Sequence, residues 1–204
     1  MIETSLDVIA TAHGADKASF HPVKGHGYTW HYEQFFKHWR YDKIKLLEIG
    51  VGGGESIRTW LEYFPQAKVF GVDIVQGTNP WNTVGEKPAG DRYHFVYGDQ
   101  SDPTFLKCFV ADYGQPPFEI IIDDGGHFSH QVVNSFLILW PIVARGGFYC
   151  VEDIGCAYTP GTVFLTPGSD THQKLFHDLF DSIHTGGMDV RQMSATNELV
   201  ILTK

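Results

Sequence analysis

Two acidic clusters, each at the end of an apolar run, are the parts of this sequence best suited to chemistry. The first is the segment DDGGH at 123–127, which follows the apolar run at 118–122. The second is the pair ED at 152–153, which follows another apolar run at 147–151. Carboxylate oxygens are ligands for hard cations, so these clusters indicate Mg²⁺ first, with Mn²⁺ or Ca²⁺ as alternatives. Zinc is less favoured, because no cysteine accompanies the histidines that follow the first cluster.

A glycine-rich segment, EIGVGGG at 48–54, offers a second kind of site. Glycines between a strand and a helix permit a tight turn and let the backbone approach a ligand. Position 55 is Glu55, where the dinucleotide fingerprint requires glycine, so NAD binding is disfavoured. Asp73 stands where a carboxylate usually takes ribose hydroxyls, and Asp99 where an adenine would be read. Singly, each acid is equally well explained as a turn or cap residue, but together at successive strand ends they favour a binding site.

Alternating strand and helix patterns position these residues. Strands are predicted at 45–49, 68–74, 93–97, 118–123, 147–152, 190–194 and 198–202, and helices at 31–39, 56–63, 103–113, 131–143 and 172–184. This alternation predicts a doubly wound α/β fold with a mostly parallel seven-stranded sheet and right-handed crossovers. The short link at 195–197 makes the last strand antiparallel. The first thirty residues are predicted to be irregular, and the polar stretch from Gly77 to Gly90 is predicted to be a loop.

Composition limits the function classes. The chain has 204 residues, 43% of them hydrophobic, a formal net charge of -9 and a pI of about 5.6. This charge opposes a nucleic-acid partner, which needs a basic surface. We expect neither a signal peptide nor a membrane span, and three unpaired cysteines favour a reduced, cytoplasmic protein. We expect a single domain, with 1–42 as an N-terminal segment and cap helix and 43–204 as the cofactor-binding domain.

The glycine loop, Asp73 and Asp99 together resemble the class I methyltransferases, which bind S-adenosylmethionine. The resemblance implies a Rossmann-like methyltransferase fold with that cofactor. The cofactor-binding residues it implies are Glu48, Gly50, Gly52, Gly54, Ser56, Asp73, Asp99, Gln100 and Asp123. Asp123 has two interpretations, since it could contact the cofactor or only orient its neighbour Asp124.

Several short motifs are similar to those of the metal-dependent sugar O-methyltransferases of antibiotic biosynthesis, the macrolide and rhamnosyl enzymes. The similarity runs from about Gly14 to the end and includes GADK at 14–17, LEIG at 47–50, YFP at 63–65, GVD at 71–73, GDQ at 98–100 and both acidic clusters. The resemblance implies that Asp124, Glu152 and Asp153 hold Mg²⁺ and that His127 is the general base. It also implies O-methylation, with a hydroxyl group of a small, glycosylated natural product as the acceptor.

Other interpretations remain open at this point. The acids could cap turns and His127 could be a surface residue, which would leave a metal-independent methyltransferase for another acceptor, or a non-catalytic binder of S-adenosylmethionine. The family's usual segment after the second acidic cluster is replaced by IGCAY at 154–158, so acceptor contacts do not carry over. The stretch at 159–168 is either a lid or a packed surface loop. Lys17 and His26 are candidates to line the pocket, and exposed aromatics leave a homo-oligomer open.

Overall fold

The computed structural model describes residues 3–75, 90–159, 161–165 and 171–204. The strands are β1 (Lys45–Ile49), β2 (Lys68–Asp73), β3 (Tyr93–Tyr97), β4 (Phe118–Asp123), β5 (Val143–Glu152), β6 (Gln192–Ala195) and β7 (Leu199–Thr203). The α-helices are α1 (Leu6–His13), α2 (Tyr28–Phe36), α3 (Glu55–Tyr63), α4 (Pro103–Tyr113), α5 (Ser129–Leu139) and α6 (His172–Thr185). No helix within these described ranges combines the length and apolar character needed to cross a membrane.

The seven strands form one sheet in the order β3-β2-β1-β4-β5-β7-β6. Strands β1 to β5 pair in parallel, and β7 runs antiparallel to both β5 and β6. The predicted doubly wound sheet with an antiparallel last strand is therefore confirmed. The carboxyl ends of β1, β2, β4 and β5 meet at one edge, where the strand order reverses between β1 and β4, and ligands of such sheets bind at that point.

Strand β4 explains why the sheet forms here. Its residues Ile120, Ile121 and Ile122 are all fully buried, and alternate residues enter the two core clusters on opposite faces of the sheet. Branched residues buried on both faces are typical of a central parallel strand. On one face Trp60 of α3 packs against Tyr32 of α2, with ring centroids 5.8 Å apart. Helix α2 is thus part of the core, and it anchors the N-terminal segment that precedes it.

The structure differs from the sequence-based prediction mainly at the N-terminus. The prediction that the first thirty residues are irregular is wrong for Leu6–His13, which form α1. The Ser5 hydroxyl caps the helix start by accepting from the Val8 N–H, and Gly14 ends it with φ 74°. This helix has only eight residues, too short for a clear apolar period. Most of the loop predicted between Gly77 and Gly90 lies outside the described residues.

Candidate functional site

A cavity of about 530 Å³ opens at the carboxyl edge of the parallel strands. Its walls come from the glycine loop after β1, the ends of β2, β3 and β4, and the N-terminal segment that follows α1. The volume lies in the range typical of small-molecule sites. Of the predicted cofactor-binding residues, the cavity is lined by Gly50, Gly52, Ser56, Asp73, Asp99 and Gln100. Glu48, Gly54 and Asp123 are not among the described residues that line it.

The glycine loop depends on left-handed backbone conformations. Gly50, Gly52 and Gly54 have φ values of 85°, 52° and 82°, which side chains other than glycine rarely adopt. Asp73 holds this loop from the end of β2. One of its carboxylate oxygens accepts the N–H groups of Val51 at 2.8 Å and Gly52 at 3.2 Å. Asp73, which is predicted to bind the ribose hydroxyls, therefore also fixes the loop. Its carboxylate oxygens retain lone pairs that can accept a hydrogen bond from a further donor.

Gly50 permits the closest backbone approach in this loop. A Cβ atom placed there would lie 2.0 Å from the carbonyl oxygen of Asp124. We expect Gly50→Ala to lower the free energy of unfolding by about 3 kcal/mol or more, because backbone strain and a backbone clash both act. Gly146→Ala is the matched control, since Gly146 also has positive φ, 78°, but an added Cβ would meet nothing within 4 Å. It should cost only about 1 kcal/mol. Urea unfolding of both variants measures the difference, and equal losses would contradict the close-approach argument.

A buried polar network supports the turn that carries His127. The Gln100 amide donates to Asp123 at 3.0 Å, and the Gln100 oxygen accepts the Gly126 N–H at 2.8 Å. The Tyr149 hydroxyl donates to the other Asp123 oxygen at 3.3 Å. Burial raises the pKa of Asp123 to about 6, although the hydrogen bond from Gln100 acts in the opposite direction. Asp123 is only 2% exposed, so its contacts favour the orienting interpretation over direct contact with a ligand.

Asp124, which lines the cavity, forms a cluster with His127 and Asp153. One possible ligand atom from each lies within 4.8 Å of the other two, and His127 Nε2 is 3.6 Å from Asp153 Oδ2. Both His127, at φ 60°, and Asp153, at φ 54°, have left-handed backbones. Such conformations cost free energy in residues other than glycine and are concentrated at functional sites. Two of the three predicted metal ligands therefore share a cluster with the predicted base.

The third predicted metal ligand, Glu152, lies deeper, where it is only 2% exposed. One of its oxygens accepts the Tyr32 hydroxyl at 2.6 Å, and the other accepts the Lys17 ammonium at 2.7 Å. Burial raises the pKa of the Glu152 carboxyl well above its usual range, and the nearby Asp124 adds to this effect. Glu152 is thus held by two protein donors beside Asp124.

Glu198 and Tyr28 surround Asp153, and the sequence analysis did not select either. The Tyr28 hydroxyl donates to Asp153 at 2.6 Å, and His26 Nδ1 lies 3.0 Å from Glu198 and 3.6 Å from Asp153. Glu198 directly precedes β7, and Tyr28 begins α2. Their sequence separation of 170 residues explains why no local pattern could have found the pair.

Family comparison gives a direct match. A family model described as a methyltransferase domain matches residues 47–154, just over half of the chain. A curated relative from Streptomyces olivaceus, 8-demethyl-8-(2-methoxy-alpha-L-rhamnosyl)-tetracenomycin-C 3'-O-methyltransferase, is 37% identical across 88% of this chain and 45% of its own length. The mycinamicin VI 2''-O-methyltransferase of Micromonospora griseorubida is 39% identical across 67% of this chain and 33% of its own length. The chain thus spans a third to a half of the length of these relatives.

Solved structures agree with the fold. The MycE methyltransferase from the mycinamycin biosynthetic pathway, in complex with Mg and SAH, superposes with a TM-score of 0.82 at 30% identity. The match covers 100% of this chain and 55% of that one. A putative caffeoyl-CoA O-methyltransferase from Staphylococcus aureus has a TM-score of 0.63 at 12% identity, which shows a shared fold alone.

Proposed function

This chain belongs to the methyltransferase-domain family, and on that premise we propose that it transfers a methyl group from S-adenosylmethionine to a hydroxyl group of a small, glycosylated natural product. The observation that carries the proposal is one cavity that joins two sets of residues. The glycine loop, Asp73 and Asp99 line this cavity, and so does Asp124, which clusters with His127 and Asp153. A cofactor and an acceptor hydroxyl could therefore meet in one site. Curated relatives that methylate sugar hydroxyls support the acceptor class.

The cavity residues fit the cofactor in charge as well as in space. S-adenosylmethionine has two positive groups, a sulfonium and an ammonium, and one carboxylate. The described wall contains Asp16, Asp73, Asp99 and Asp124, whereas its one lysine, Lys17, is already paired with Asp124 and Glu152. An added Cβ at Gly52 would meet no atom within 4 Å, so the loop backbone faces open space there. A cationic nucleoside therefore suits this wall better than a phosphate-bearing nucleotide.

The donor set also fits a divalent cation. We propose that Asp124 and Asp153 hold Mg²⁺, with Glu152 as the third carboxylate, and the Mg bound by the MycE relative supports this assignment. Carboxylate oxygens without a cysteine are the ligands that Mg²⁺ prefers. When bound, the cation would stabilise negative charge on the acceptor oxygen.

His127 is proposed as the general base. Its side chain is 21% exposed, so it can reach an acceptor hydroxyl that enters from solvent. The proton would pass from that hydroxyl to Nε2, and the nearby Asp153 carboxylate would stabilise the resulting imidazolium.

Phe164 flanks the His127 imidazole, with ring centroids 6.5 Å apart, and the Phe164 carbonyl accepts the Ser129 N–H at 2.9 Å. We propose that the segment around Phe164 forms one wall of the acceptor site. Aromatic rings suit the apolar faces of sugars.

The domain organisation is proposed on the same grounds. Residues 43–204 would form the cofactor-binding domain, and residues 1–42 would close one side of its cavity. Gly14, Lys17 and His21 of the N-terminal segment line the cavity, which supports that division.

The direct test is methyl transfer from radiolabelled S-adenosylmethionine to a panel of deoxysugar glycosides and their aglycones, with Mg²⁺ or with EDTA. We expect labelling of glycosides alone, and a loss of labelling in EDTA. Full labelling in EDTA would instead support a metal-independent methyltransferase. Cofactor binding without labelling of any acceptor would support a non-catalytic binder.

Asp73→Ala tests the cofactor end of the site separately. The variant loses an acceptor for the loop N–H groups of Val51 and Gly52 and the proposed acceptor for ribose hydroxyls. We expect S-adenosylhomocysteine affinity to fall by about 10- to 100-fold, since a hydrogen bond to a charged group contributes about 1.5–3 kcal/mol. Calorimetric titration measures the change, with Asp112→Ala on the exposed side of α4 as the control of equal charge. Unchanged affinity in Asp73→Ala would place the ribose elsewhere.

A further inference from the structure

Lys17 lies in the N-terminal segment and is only 2% exposed. Its ammonium contacts carboxylates from the ends of three neighbouring strands. It donates a hydrogen bond to Asp124 after β4, another at 2.7 Å to Glu152 of β5, and lies 3.4 Å from Glu48 of β1. The residue therefore bridges Asp124 and Glu152, two of the three carboxylates proposed to hold the divalent cation.

We infer that Lys17 is a positioning residue of this site, whose ammonium holds the Asp124 and Glu152 carboxylates in the arrangement that a divalent cation requires. The inference rests on the proposed function, because it needs those carboxylates to be metal ligands. In this role Lys17 acts through the two acids.

Electrostatics explains why a cation is needed at this place. Parallel strands lie about 4.8 Å apart, so carboxylates at neighbouring strand ends repel one another strongly when buried. The Lys17 ammonium, which is bonded to both Asp124 and Glu152, offsets part of this repulsion.

The N-terminal segment is built to hold this lysine independently of any metal. The Lys17 carbonyl accepts the Thr29 N–H at 3.1 Å, and the Asp16 carbonyl accepts the His26 N–H at 2.8 Å. Asp7 accepts the Ser19 N–H at 2.8 Å and the Thr29 hydroxyl at 2.5 Å. These bonds fix the backbone on both sides of Lys17, so its ammonium can orient the acids before a metal arrives.

The direction in which metal affinity changes when Lys17 is removed distinguishes a positioning role from a purely electrostatic one. If Lys17 contributed only its positive charge, its removal would strengthen binding of a second cation nearby. If it orients the acids, its removal lets them diverge and weakens that binding. A purely structural role would lower stability without changing the metal affinity of the folded protein.

The test is Mn²⁺ titration of the full chain, followed by electron paramagnetic resonance of the free ion, at a temperature where circular dichroism shows each variant folded. We expect Lys17→Met to weaken Mn²⁺ binding at least tenfold, and Lys107→Met, an exposed lysine on α4, to leave it unchanged. Lys17→Arg keeps the charge but replaces a point ammonium by a planar fork, so it should also weaken binding. It provides the measurement if the methionine variant fails to fold.

Equal or tighter Mn²⁺ binding in the folded Lys17 variants would overturn the positioning role and leave the proposed function intact. Absence of Mn²⁺ binding in the wild-type protein would overturn both the metal assignment and this inference.

Discussion

Asp124→Asn is expected to abolish methyl transfer while the protein stays folded. The substitution keeps the shape of the side chain but removes the charge that the Lys17 ammonium and the proposed cation both require. Loss of a metal-based charge stabilisation of several kcal/mol corresponds to a fall in kcat of about 10³-fold or more. Calorimetric titration should also show that the heat of Mg²⁺ binding disappears, while S-adenosylhomocysteine still binds.

Asp112→Asn on α4 is the matched control for this prediction, because it removes the same charge from an exposed position. Wild-type turnover in the Asp124 variant would remove the metal mechanism and return the choice to a metal-independent methyltransferase. Loss of cofactor binding together with turnover would instead indicate that the strand end itself had collapsed.

His127→Asn is expected to lower kcat by about 10²- to 10⁴-fold, the usual contribution of a general base. Asparagine is the informative replacement, because His127 has φ 60° and asparagine tolerates this left-handed conformation better than alanine does. Binding of S-adenosylhomocysteine should stay unchanged, since His127 is not among the described residues that line the cofactor cavity. Steady-state kinetics combined with cofactor titration measures both quantities.

The control for the base assignment is His177→Asn, which changes an exposed histidine on α6. A loss of Mn²⁺ affinity in His127→Asn would identify the imidazole as a metal ligand, which its position between Asp124 and Asp153 also permits geometrically. Retention of full kcat would remove the base assignment altogether.

The sheet could be predicted from sequence because its strands are short apolar runs separated by turn residues. β4 is the clearest case, since a short run of buried β-branched residues such as Ile120, Ile121 and Ile122 is typical of a strand covered on both faces. The glycine loop was equally readable, because Gly50 and Gly52 mark positions with positive φ. Helix α1 was missed because local periodicity over eight residues is weak, and tertiary packing of Leu6 and Ile9 stabilises it instead.

Only those residues of the candidate site that directly follow a predicted strand could be found from the sequence. Asp124 and Asp153 follow β4 and β5 directly, so their proximity follows from parallel pairing. The burial of the Glu152 side chain could not be predicted in this way, because it depends on contacts with Lys17 and Tyr32, which lie 135 and 120 residues away in sequence. Glu198 was invisible for the same reason, since it reaches His26 across 172 residues. Such long-range contacts leave no local pattern.

The antiparallel placement of β7 beside β5 has a consequence for biosynthesis. Chains leave the ribosome from the N-terminus, so Lys17 emerges long before Asp124 and Glu152 are translated. Glu152 pairs in register with Leu199, which is translated after it. Until then the nascent protein exposes the unpaired edge of β5 next to its acidic cluster. This edge of the sheet, which carries the acidic cluster, is therefore completed only after β7 has been translated.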